Sequence, residues 1–580
     1  MNDRFKKTWG LPGALLQRSR RFAWIDLLVI VGLAGLIYGL MNLAQEWEGE
    51  LRPAVEISLS PTALPGYAFF SLSRGLIAYL FSLGFTLVYG YWAAKDRAAE
   101  RILIPLLDIL QSIPVLGFMP GLVLALVGLF PKSNVGLELA AILMIFTGQV
   151  WNMTFSFYHS LRSVPDQLQE VGRLYGFNWW RRFKWIELPF SMMGLVWNSM
   201  MSMAGGWFFL MINEAFVLGG KDFRLPGLGS YMSVAVARGD IHAMIWAVIT
   251  MVTMIVLLDQ LLWRPVVVWA QKFRLEDTSG AESMSSWLLD WLHRSHLVQR
   301  MGTMLRRLIV PRIRLAPAAP GSVPPTAGSP RVAGALSLTF FMLLLAALSV
   351  GAWELIQLLR VMTAASWAII VSATGCTLGR VLLATAISTL WTLPAGLAIG
   401  LSPRLSRVLQ PVVQVMASFP APMLFPAVVA GLQWLGITLQ WGCLLLMLLG
   451  TQWYLLFNII AGAMAVPADL REAARSYGLR GWLQFWKFHL PAVFPYLVTG
   501  WVTAAGGTWN ASIVSEYVNF KGHVLTAWGL GAQISLAAEK GDFPMLAASI
   551  LVMSLVVVAF NQIVWKPCYR LAEKSYSLNK

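Results

Sequence analysis

Long apolar runs recur along the whole chain, separated by shorter stretches that contain charged, glycine or proline residues. Most are close to the roughly 20 residues that a helix needs to cross a bilayer, and no soluble core absorbs so many apolar side chains. The runs predict twelve transmembrane helices, near Leu27–Leu43, Gly75–Ala94, Ile102–Leu129, Leu139–Tyr158, Met192–Leu218, His242–Trp269, Gly334–Trp353, Val381–Leu401, Val408–Leu435, Gly436–Gly462, Phe494–Ile513 and Met545–Val564.

The composition indicates a polytopic membrane protein. Hydrophobic residues make up 57% of the 580 residues and charged residues 12%, which is about half of the charged fraction of soluble domains. This excludes a soluble enzyme, a secreted disulfide scaffold and a disordered chain. Cys376, Cys443 and Cys568 have no CxxC spacing, and His293 and His296 have no Cys or carboxylate cluster around them, so we expect no metal site.

The distribution of positive charge predicts an orientation. The formal net charge is +16, and with a cytoplasmic amino terminus only ten of the 44 Lys and Arg residues would lie in exterior loops and span mouths, Arg74 and Arg380 among them. The positive-inside bias therefore predicts that both termini are cytoplasmic and that the basic loops face anionic lipid rather than nucleic acid. The basic start MNDRFKKTWG has no small-residue cleavage site after the apolar run that follows it, which indicates a retained first span.

The second half of the chain repeats the first in register. At an offset of 306 Arg74 matches Arg380, and after one four-residue slip the offset is 302, so that Glu214 matches Glu516. Because each copy holds an even number of predicted spans, the halves have the same orientation and an axis along the membrane normal relates them. The predicted organisation is a first repeat at 1–269 with its core at 70–269, a linker at 270–333, and a second repeat at 334–580 with its core at 376–571.

The predicted linker has two parts. From Ser285 it mixes Trp, Leu and Arg residues, a composition that fits either a helix in the inner membrane interface or a solvated helix against the protein. From Pro311 it is rich in Pro, Gly and Ala, which predicts a flexible tether between the two repeats.

The loop after the fourth predicted span of each half has a distinctive pattern. It reads VPADLREAARSYGLRGWLQFWKFHLP at 466–491 and VPDQLQEVGRLYGFNWWRRFKWIELP at 164–189. In both copies we expect a short helix after the Val-Pro pair and then a glycine that leaves the helix with positive φ, where a bulky residue would clash. The residues that carry the pattern are Glu170, Arg173, Gly176, Pro189, Glu472, Ala473, Ala474, Arg475, Gly478 and Pro491.

This pattern of Glu-Ala-Ala, three residues, Gly, and about a dozen residues to Leu-Pro resembles the signature loop of the permease subunits of bacterial binding-protein-dependent ABC importers. The segments SIPVLGFMP and SFPAPMLFP, which end at Pro120 and Pro426, are similar to its nitrate/sulfonate/taurine branch. The resemblance covers about 190 residues of each half. Two features depart from most members: Glu170-Val171-Gly172 in the first loop, and the fusion of two permease domains in one chain.

The resemblance implies an all-α integral membrane protein of the type I ABC importer fold, in the bacterial inner membrane, with about twelve helices as two parallel six-helix repeats. Each signature loop would form a coupling helix that docks on one of two separate ATP-binding cassette ATPase subunits. Ala473 and Ala474 would let the ATPase approach closely, so the second loop would couple more strongly than the first.

The resemblance also implies that ATP and Mg belong to the partner ATPase, and that a periplasmic or lipid-anchored solute-binding protein delivers the solute. The chain would be a transporter subunit without a cofactor of its own, not an enzyme. The sequence agrees with this expectation, because it contains no G-x-x-x-x-G-K-[ST] pattern to cradle nucleotide phosphates.

Polar side chains within apolar spans either line the bundle interior or pack between helices, and prolines can bend the third and ninth predicted spans around a cavity. Glu214 and Glu516 are interpreted as gate or helix-end residues. No Lys or Arg lies in the middle of a predicted span, and an ionised Asp108 would repel an anion. The candidates for a substrate pathway are Asp108, Gln111, Ser112, Asn152, Gln414, Ser418, Gln452 and Asn510, with Asn213 and Ser515 as further polar residues within spans.

The branch implies a small polar solute such as nitrate, bicarbonate or an organosulfonate, while the pathway residues leave a neutral or cationic nitrogen compound open. An ion-coupled secondary transporter and a membrane-embedded enzyme or scaffold are the alternatives. The paired loops argue against the first alternative, and the lack of a clustered His, Cys or carboxylate constellation in the sequence argues against the second.

Overall fold

A computed structural model describes residues 24–49, 55–273, 286–292 and 330–576. The chain divides into two compact units, Met1–Ala44 with Gly280–Ser322 and Gln45–Ser279 with Val323–Lys580. Most of the predicted linker and both chain ends lie outside the described residues, and the linker's described part includes the short helix Trp287–Leu292. The expectations for the linker and for the side on which the termini lie therefore stay predictions.

The first half consists of helices and one β-hairpin. Its labelled elements are α1 (Trp24–Glu48), α2 (Leu64–Phe85), α3 (Arg97–Ser112), α4 (Val115–Leu129), α5 (Val135–Arg162), α6 (Asp166–Leu174), α7 (Leu188–Asn213), β1 (Ala215–Leu218), β2 (Lys221–Arg224), α8 (Leu228–Arg238) and α9 (Ile241–Leu258). Shorter helical segments are Pro61–Ala63, Thr86–Gly90, Tyr91–Lys95, Trp179–Arg182, Phe183–Glu187, Asp259–Trp263, Arg264–Ala270 and Gln271–Phe273.

The second half has closely similar elements in the same order, which confirms the internal repeat. Its labelled elements are α10 (Pro330–Leu359), α11 (Ala364–Leu401), α12 (Pro403–Ser418), α13 (Phe425–Trp434), α14 (Leu439–Ala465), α15 (Ala468–Ser476), α16 (Leu490–Ser515), β3 (Tyr517–Phe520), β4 (His523–Thr526), α17 (Leu530–Lys540), α18 (Phe543–Phe560) and α19 (Lys566–Tyr576). Shorter helical segments are Ala421–Leu424, Gly481–Gln484, Phe485–His489 and Asn561–Trp565.

The number of membrane spans differs from the prediction. Among the described residues, eight helices are long and apolar enough to cross a membrane, or up to ten spans if each of two bent helix pairs counts as one. Twelve spans are not confirmed. The eleventh predicted span corresponds to α16, which is 26 residues long but is not among the eight, and its sequence is interrupted by Gly, Ser, Thr and Asn.

The third and ninth predicted spans are both broken by a sharp bend. The angle between α3 and α4 is 97°, and the angle at the break between α12 and the helical segment that ends with α13 is 85°. Each bend lies directly before a proline. Ile113, which precedes Pro114, and Phe419, which precedes Pro420, have extended backbone with ψ of 124° and 127°. A proline disfavours helical backbone in the residue before it and has no N–H for the helix, so neither segment continues straight.

The predicted helical fold class is confirmed, and two short β-hairpins add to the helices. β1 pairs with β2 and β3 with β4, in both cases antiparallel, directly after α7 and α16. Their turns are Gly219-Gly220 and Lys521-Gly522, and all four residues have positive φ. A two-residue hairpin turn with positive φ at both residues matches the twist of the two strands. The Gly-Gly pair in the sequence is a typical signal for such a turn.

The two halves share one apolar core. The largest buried cluster of the described residues contains Trp207 and Tyr231 from the first half together with Met423, Phe425 and Phe520 from the second. At the hairpin end, the Gly219 and Gly220 amides donate hydrogen bonds to the backbone carbonyls of residues 538 and 539 in α17, at 3.0 and 2.8 Å. The hairpin of one half is thereby fastened to the other half.

A buried ion cluster fastens α2 to the far end of α7. Arg74 is fully buried in α2 rather than exposed at a span mouth, and its Nε lies 2.6 Å from Glu138 Oε2 and its Nη1 2.8 Å from Glu214 Oε1. Glu214, the residue after α7, also accepts hydrogen bonds from the Ser71 hydroxyl at 2.6 Å and the Gly229 amide at 2.7 Å. One guanidinium and two carboxylates, counted as ionised, give this cluster a formal net charge of −1.

The equivalent cluster in the second half has one carboxylate fewer. Arg380 Nη1 lies 2.7 Å from Glu516 Oε1, and Glu516 also accepts hydrogen bonds from the Thr377 hydroxyl at 2.9 Å and the Gly531 amide at 2.9 Å. Gln440 stands where the first half has Glu138, and its backbone carbonyl accepts from Arg380 Nη2 at 3.4 Å. This cluster is therefore neutral.

Two of the repeated glycines are explained by these clusters. A Cβ on Gly227 would lie 2.2 Å from Glu214 Cδ, and a Cβ on Gly529 would lie 2.2 Å from Glu516 Oε2. No real Cβ contact is that short. The loop after each hairpin therefore needs glycine because its backbone passes directly over the buried carboxylate.

We predict that Gly227→Ala and Gly529→Ala each lower the free energy of unfolding by about 1–3 kcal/mol, because the new methyl group overpacks the site around the carboxylate. Gly66→Ala in α2 is the control, since a Cβ there meets nothing within 4 Å. The measurement is thermal unfolding of the purified protein in detergent. Equal unfolding temperatures for all three variants would show that the loop moves aside without cost.

We also predict that Glu516→Gln is more destabilising than Glu214→Gln. The first substitution leaves the Arg380 cluster with a net charge of +1, and removing one partner of a buried ion pair typically costs about 3–5 kcal/mol. Glu214→Gln instead leaves Arg74 paired with Glu138 and makes its cluster neutral. Thermal unfolding measures both variants, with Glu138→Gln as a control that gives the first cluster the composition of the second. A larger loss from Glu214→Gln contradicts this charge accounting.

Candidate coupling loops and translocation pathway

The two signature loops lie at the opposite ends of α7 and α16 from the ion clusters. Each loop runs directly into the first turn of its long helix, and each cluster lies at the last turn. Both helices have 26 residues, so about 39 Å separates their two ends. Since both helices run in the same direction through equivalent halves, both loops belong to one face of the molecule and both hairpins to the other.

The first loop contains the short helix α6. Pro165 precedes it, and Gly176 with a φ of +60° ends it. The amides of Tyr175, Gly176 and Phe177 donate to backbone carbonyls of the last helical turn, at 3.0, 3.0 and 2.9 Å. These bonds satisfy carbonyls that a helix end otherwise leaves without partners.

The second loop repeats this geometry around α15. Pro467 precedes the helix, and Gly478 with a φ of +71° ends it. The amides of Tyr477, Gly478 and Leu479 donate at 2.9, 3.0 and 3.1 Å. The positive φ predicted for Gly176 and Gly478 is confirmed. The predicted clash is wrong, because a Cβ at either glycine meets nothing within 4 Å, and the constraint is the backbone angle alone.

The small residues of the signature do not all face outward. Glu170, Arg173, Glu472 and Arg475 lie at the surface to different degrees, and Ala473 is not buried, but Ala474 is buried. Its counterpart Gly172 is also buried, and a Cβ on Gly172 would lie 2.9 Å from Ile186 Cδ1. The difference between Gly172 and Ala474 is therefore accommodated inside each half and does not reach the outer surface, contrary to the expected role of Ala474 in contact with a partner.

The outer surface of the loops is formed by residues that the sequence analysis did not single out. Leu174 and Tyr175 are 85% and 72% exposed, and Tyr477 is 85% exposed. All three lie among the three variable positions that directly precede the glycine of the pattern. The signal that marks them is a large apolar or aromatic residue in an otherwise polar loop, which indicates a contact surface.

Three of the predicted pathway residues line one cavity between the halves. Gln111, Asn152 and Asn510 border a cavity of about 180 Å³ together with Thr503 and Trp151. Trp151 Nε1 and Asn510 Oδ1 are buried and have no hydrogen-bond partner among the described residues. Within the described part of the chain no charged side chain lines this cavity, so its polar groups are amides, hydroxyls and an indole N–H.

The other predicted pathway residues lie elsewhere. Gln414 Nε2 donates a hydrogen bond to Asp259 Oδ1 at 2.7 Å, which links the second half to the first. Both residues line a separate cavity of only about 20 Å³, together with Ser418. Asp108 Oδ1 accepts from Gln111 Nε2 at 3.1 Å. Gln452 is half-buried in α14. Asn213 and Ser515 are buried beside the ion clusters, away from this cavity. The side chain of Ser112 lies outside the described part of the structure.

A wider cavity lies at the hairpin end of the two halves. It measures about 440 Å³ and is bordered by both hairpins and by the proline segments that include Pro120 and Pro426. Its charged side chains include Asp222, Arg224 and Glu539. The two bent helix pairs thus present their prolines to a space that both halves enclose.

A family model for inner-membrane components of binding-protein-dependent transport systems matches the chain twice, over residues 86–262 and 392–564. Together the two matches cover more than half of the chain. Each match includes one signature loop and one of the two sharp proline bends. The ion-cluster glutamates Glu138 and Glu214 lie in the first match, and Glu516 lies in the second.

Curated relatives agree with this family. The taurine transport system permease protein TauC of Escherichia coli is 26% identical over 182 residues, 31% of this chain and 61% of that protein. The nitrate import permease protein NrtB of Leptolyngbya laminosa is 28% identical over 29% of this chain and 57% of that protein. The bicarbonate transport system permease protein CmpB of Synechocystis is 27% identical over 24% and 49%, so the chain spans about half to three fifths of these relatives.

The two family matches, the repeated element order and the paired loops lead to one assignment. The chain belongs to the family of inner-membrane permease components of binding-protein-dependent ABC transport systems, and it carries two copies of the permease domain.

Proposed function

We propose that this chain is the transmembrane permease of an ATP-driven importer in the bacterial inner membrane. The observation that carries the proposal is the pair of loops on one face, each with a short helix, a left-handed glycine and an exposed tyrosine. Two ATPase subunits, one beneath each loop, would supply ATP hydrolysis, and an external binding protein would deliver the solute to the hairpin face. Tyr175 and Tyr477 are suited to anchor the ATPase subunits, because exposed aromatic side chains are common contact hot spots.

We further propose that the solute is a small compound with an oxyanion group, such as nitrate, bicarbonate or an organosulfonate, because the relatives are permeases for taurine, nitrate and bicarbonate. The cavity around Asn152 and Asn510 supports this size, since about 180 Å³ admits only a few water-sized groups. The donor at Trp151 Nε1 and the side-chain amides suit transient contact with an anion. A cavity without a cationic side chain among its described residues holds such an anion weakly, and a permease needs weak binding to release it. A neutral or cationic nitrogen compound is the alternative that the transport assay distinguishes.

The loop assignment predicts that Gly176→Val and Gly478→Val both uncouple transport. A β-branched residue is strained at positive φ by about 1–2 kcal/mol or more, so the chain cannot leave its short helix in the same direction. Gly176→Asn and Gly478→Asn are matched controls, because Asn tolerates this conformation, and both should retain most activity. The measurement is ATPase activity stimulated by the binding protein in reconstituted vesicles, with ATPase assembly checked by co-purification. The isolated chain is the blank, and we expect it to hydrolyse no ATP. Wild-type coupling in both valine variants would remove the assignment of these loops.

The pathway assignment predicts that Asn510→Leu and Asn152→Leu lower uptake about tenfold or more. A lost hydrogen bond to a passing solute, with its partner left unpaired, costs about 1–3 kcal/mol. Gln452→Leu in α14 is the control, since it makes the same kind of change outside this cavity, and it should leave uptake within about twofold. The measurement is uptake of labelled taurine, nitrate and bicarbonate by vesicles, with subunit assembly checked separately. If Gln452→Leu reduces uptake as strongly as Asn510→Leu, the cavity is not the pathway.

A further inference from the structure

A further cavity, of about 550 Å³, lies beside α15 and has a strongly basic lining. Its polar and charged side chains are Arg471 and Arg475 on α15, Arg480 after the left-handed glycine, and Gln484 and His489 in the segment that leads to α16. Its described lining contains no carboxylate. None of the ion pairs among the described residues involves any of its three arginines.

The first half shows how the same place is neutralised. The position of His489 is occupied there by Glu187, which is buried and whose Oε1 lies 2.7 Å from Lys95 Nζ and 3.0 Å from Arg182 Nε. The matching residues of the second half are Leu401 for Lys95 and Gln484 for Arg182. The second half therefore lacks this internal carboxylate, and three arginines line the cavity at the same position.

Two of the nitrogen atoms at this cavity lack a partner. Arg471 Nε and His489 Nδ1 are buried and make no hydrogen bond to any described residue. A buried nitrogen donor without an acceptor is costly, and a guanidinium is a preferred partner for phosphate because its planar donors match two oxygens at once. An anion from outside the chain would supply the acceptors that Glu187 supplies in the first half.

The position of the cavity indicates where such an anion comes from. Leu401 is the last residue of α11, and His489 directly precedes α16, so the cavity lies at the loop-bearing ends of two long helices. Trp482 and Trp486, on the adjoining segment, are 74% and 50% exposed. Tryptophan favours the headgroup level of a bilayer, and arginine clusters at that level attract anionic lipid.

We propose that the cavity formed by Arg471, Arg475, Arg480 and His489 binds a phosphate-type oxyanion, supplied by the headgroup of an anionic phospholipid. The bound headgroup replaces the carboxylate of Glu187 and ties α15 to the ends of α11 and α16. The second loop thereby depends on the lipid, whereas the first loop is held by its own ion pairs. The binding step does not rest on the proposed import function, because it requires neither ATPase nor solute.

The test measures binding to the full purified chain in detergent micelles. The probes are phosphatidylglycerol, phosphatidylcholine and inorganic phosphate, and the readouts are the shift in unfolding temperature and lipid retention by native mass spectrometry. We expect phosphatidylglycerol to stabilise the wild-type chain and phosphatidylcholine to have no such effect. Arg471→Gln and Arg475→Gln should weaken phosphatidylglycerol binding at least tenfold. Arg173→Gln is the matched control, because Arg173 is the first-half counterpart of Arg475, and it should bind like wild type.

Each result decides between named outcomes. Stabilisation by phosphatidylglycerol alone supports the lipid source, and stabilisation by inorganic phosphate with the same dependence on Arg471 supports the same oxyanion site filled from solution. Equal weakening in Arg173→Gln and Arg475→Gln, or no stabilisation by either probe, overturns the site. Arg480→Gln controls for misfolding, because Arg480 is exposed. We expect this variant to unfold at the wild-type temperature without lipid and to bind phosphatidylglycerol more weakly.

Discussion

The guanidinium–carboxylate pairs Arg74–Glu214 and Arg380–Glu516, each built on a buried glutamate, are the constraint on which the rest of the structure depends. A charge in a water-poor interior is tolerated only when opposite charge and hydrogen-bond donors surround it. To surround Glu214, the chain brings Ser71 and Arg74 from α2 and the Gly229 amide from the start of α8 to one point. The second half surrounds Glu516 in the same way. These two points fix the hairpin end of both halves.

The long helices α7 and α16 carry this constraint to the other end of the molecule. Each begins at a signature loop and ends at a buried glutamate, so the loop and the cluster are joined by one uninterrupted helix. Polar groups that are not part of the clusters are left at the interface between the halves, where Asn510 and Gln111 line a small cavity. Each half thus has an ion cluster at one end of its long helix and an exposed loop at the other.

The two halves are similar in backbone and different in charge. Gln440 in place of Glu138 makes the second ion cluster neutral, and His489 in place of Glu187 leaves three arginines around an open cavity. In both places the second half has one carboxylate fewer than the first half.

The sequence by itself determined those features that depend on local backbone chemistry or on repetition. The offsets revealed two equivalent halves, and the position of glycine six residues after glutamate predicted the left-handed residues Gly176 and Gly478. The proline segments predicted bends, because proline restricts the residue before it wherever it occurs. Only the tertiary structure decided which residues meet across the chain. Glu138 as a partner of Arg74, the burial of Ala474, and the separation of Gln414 from Asn510 depend on how helices pack, and contacts between residues distant in sequence leave no local pattern to read.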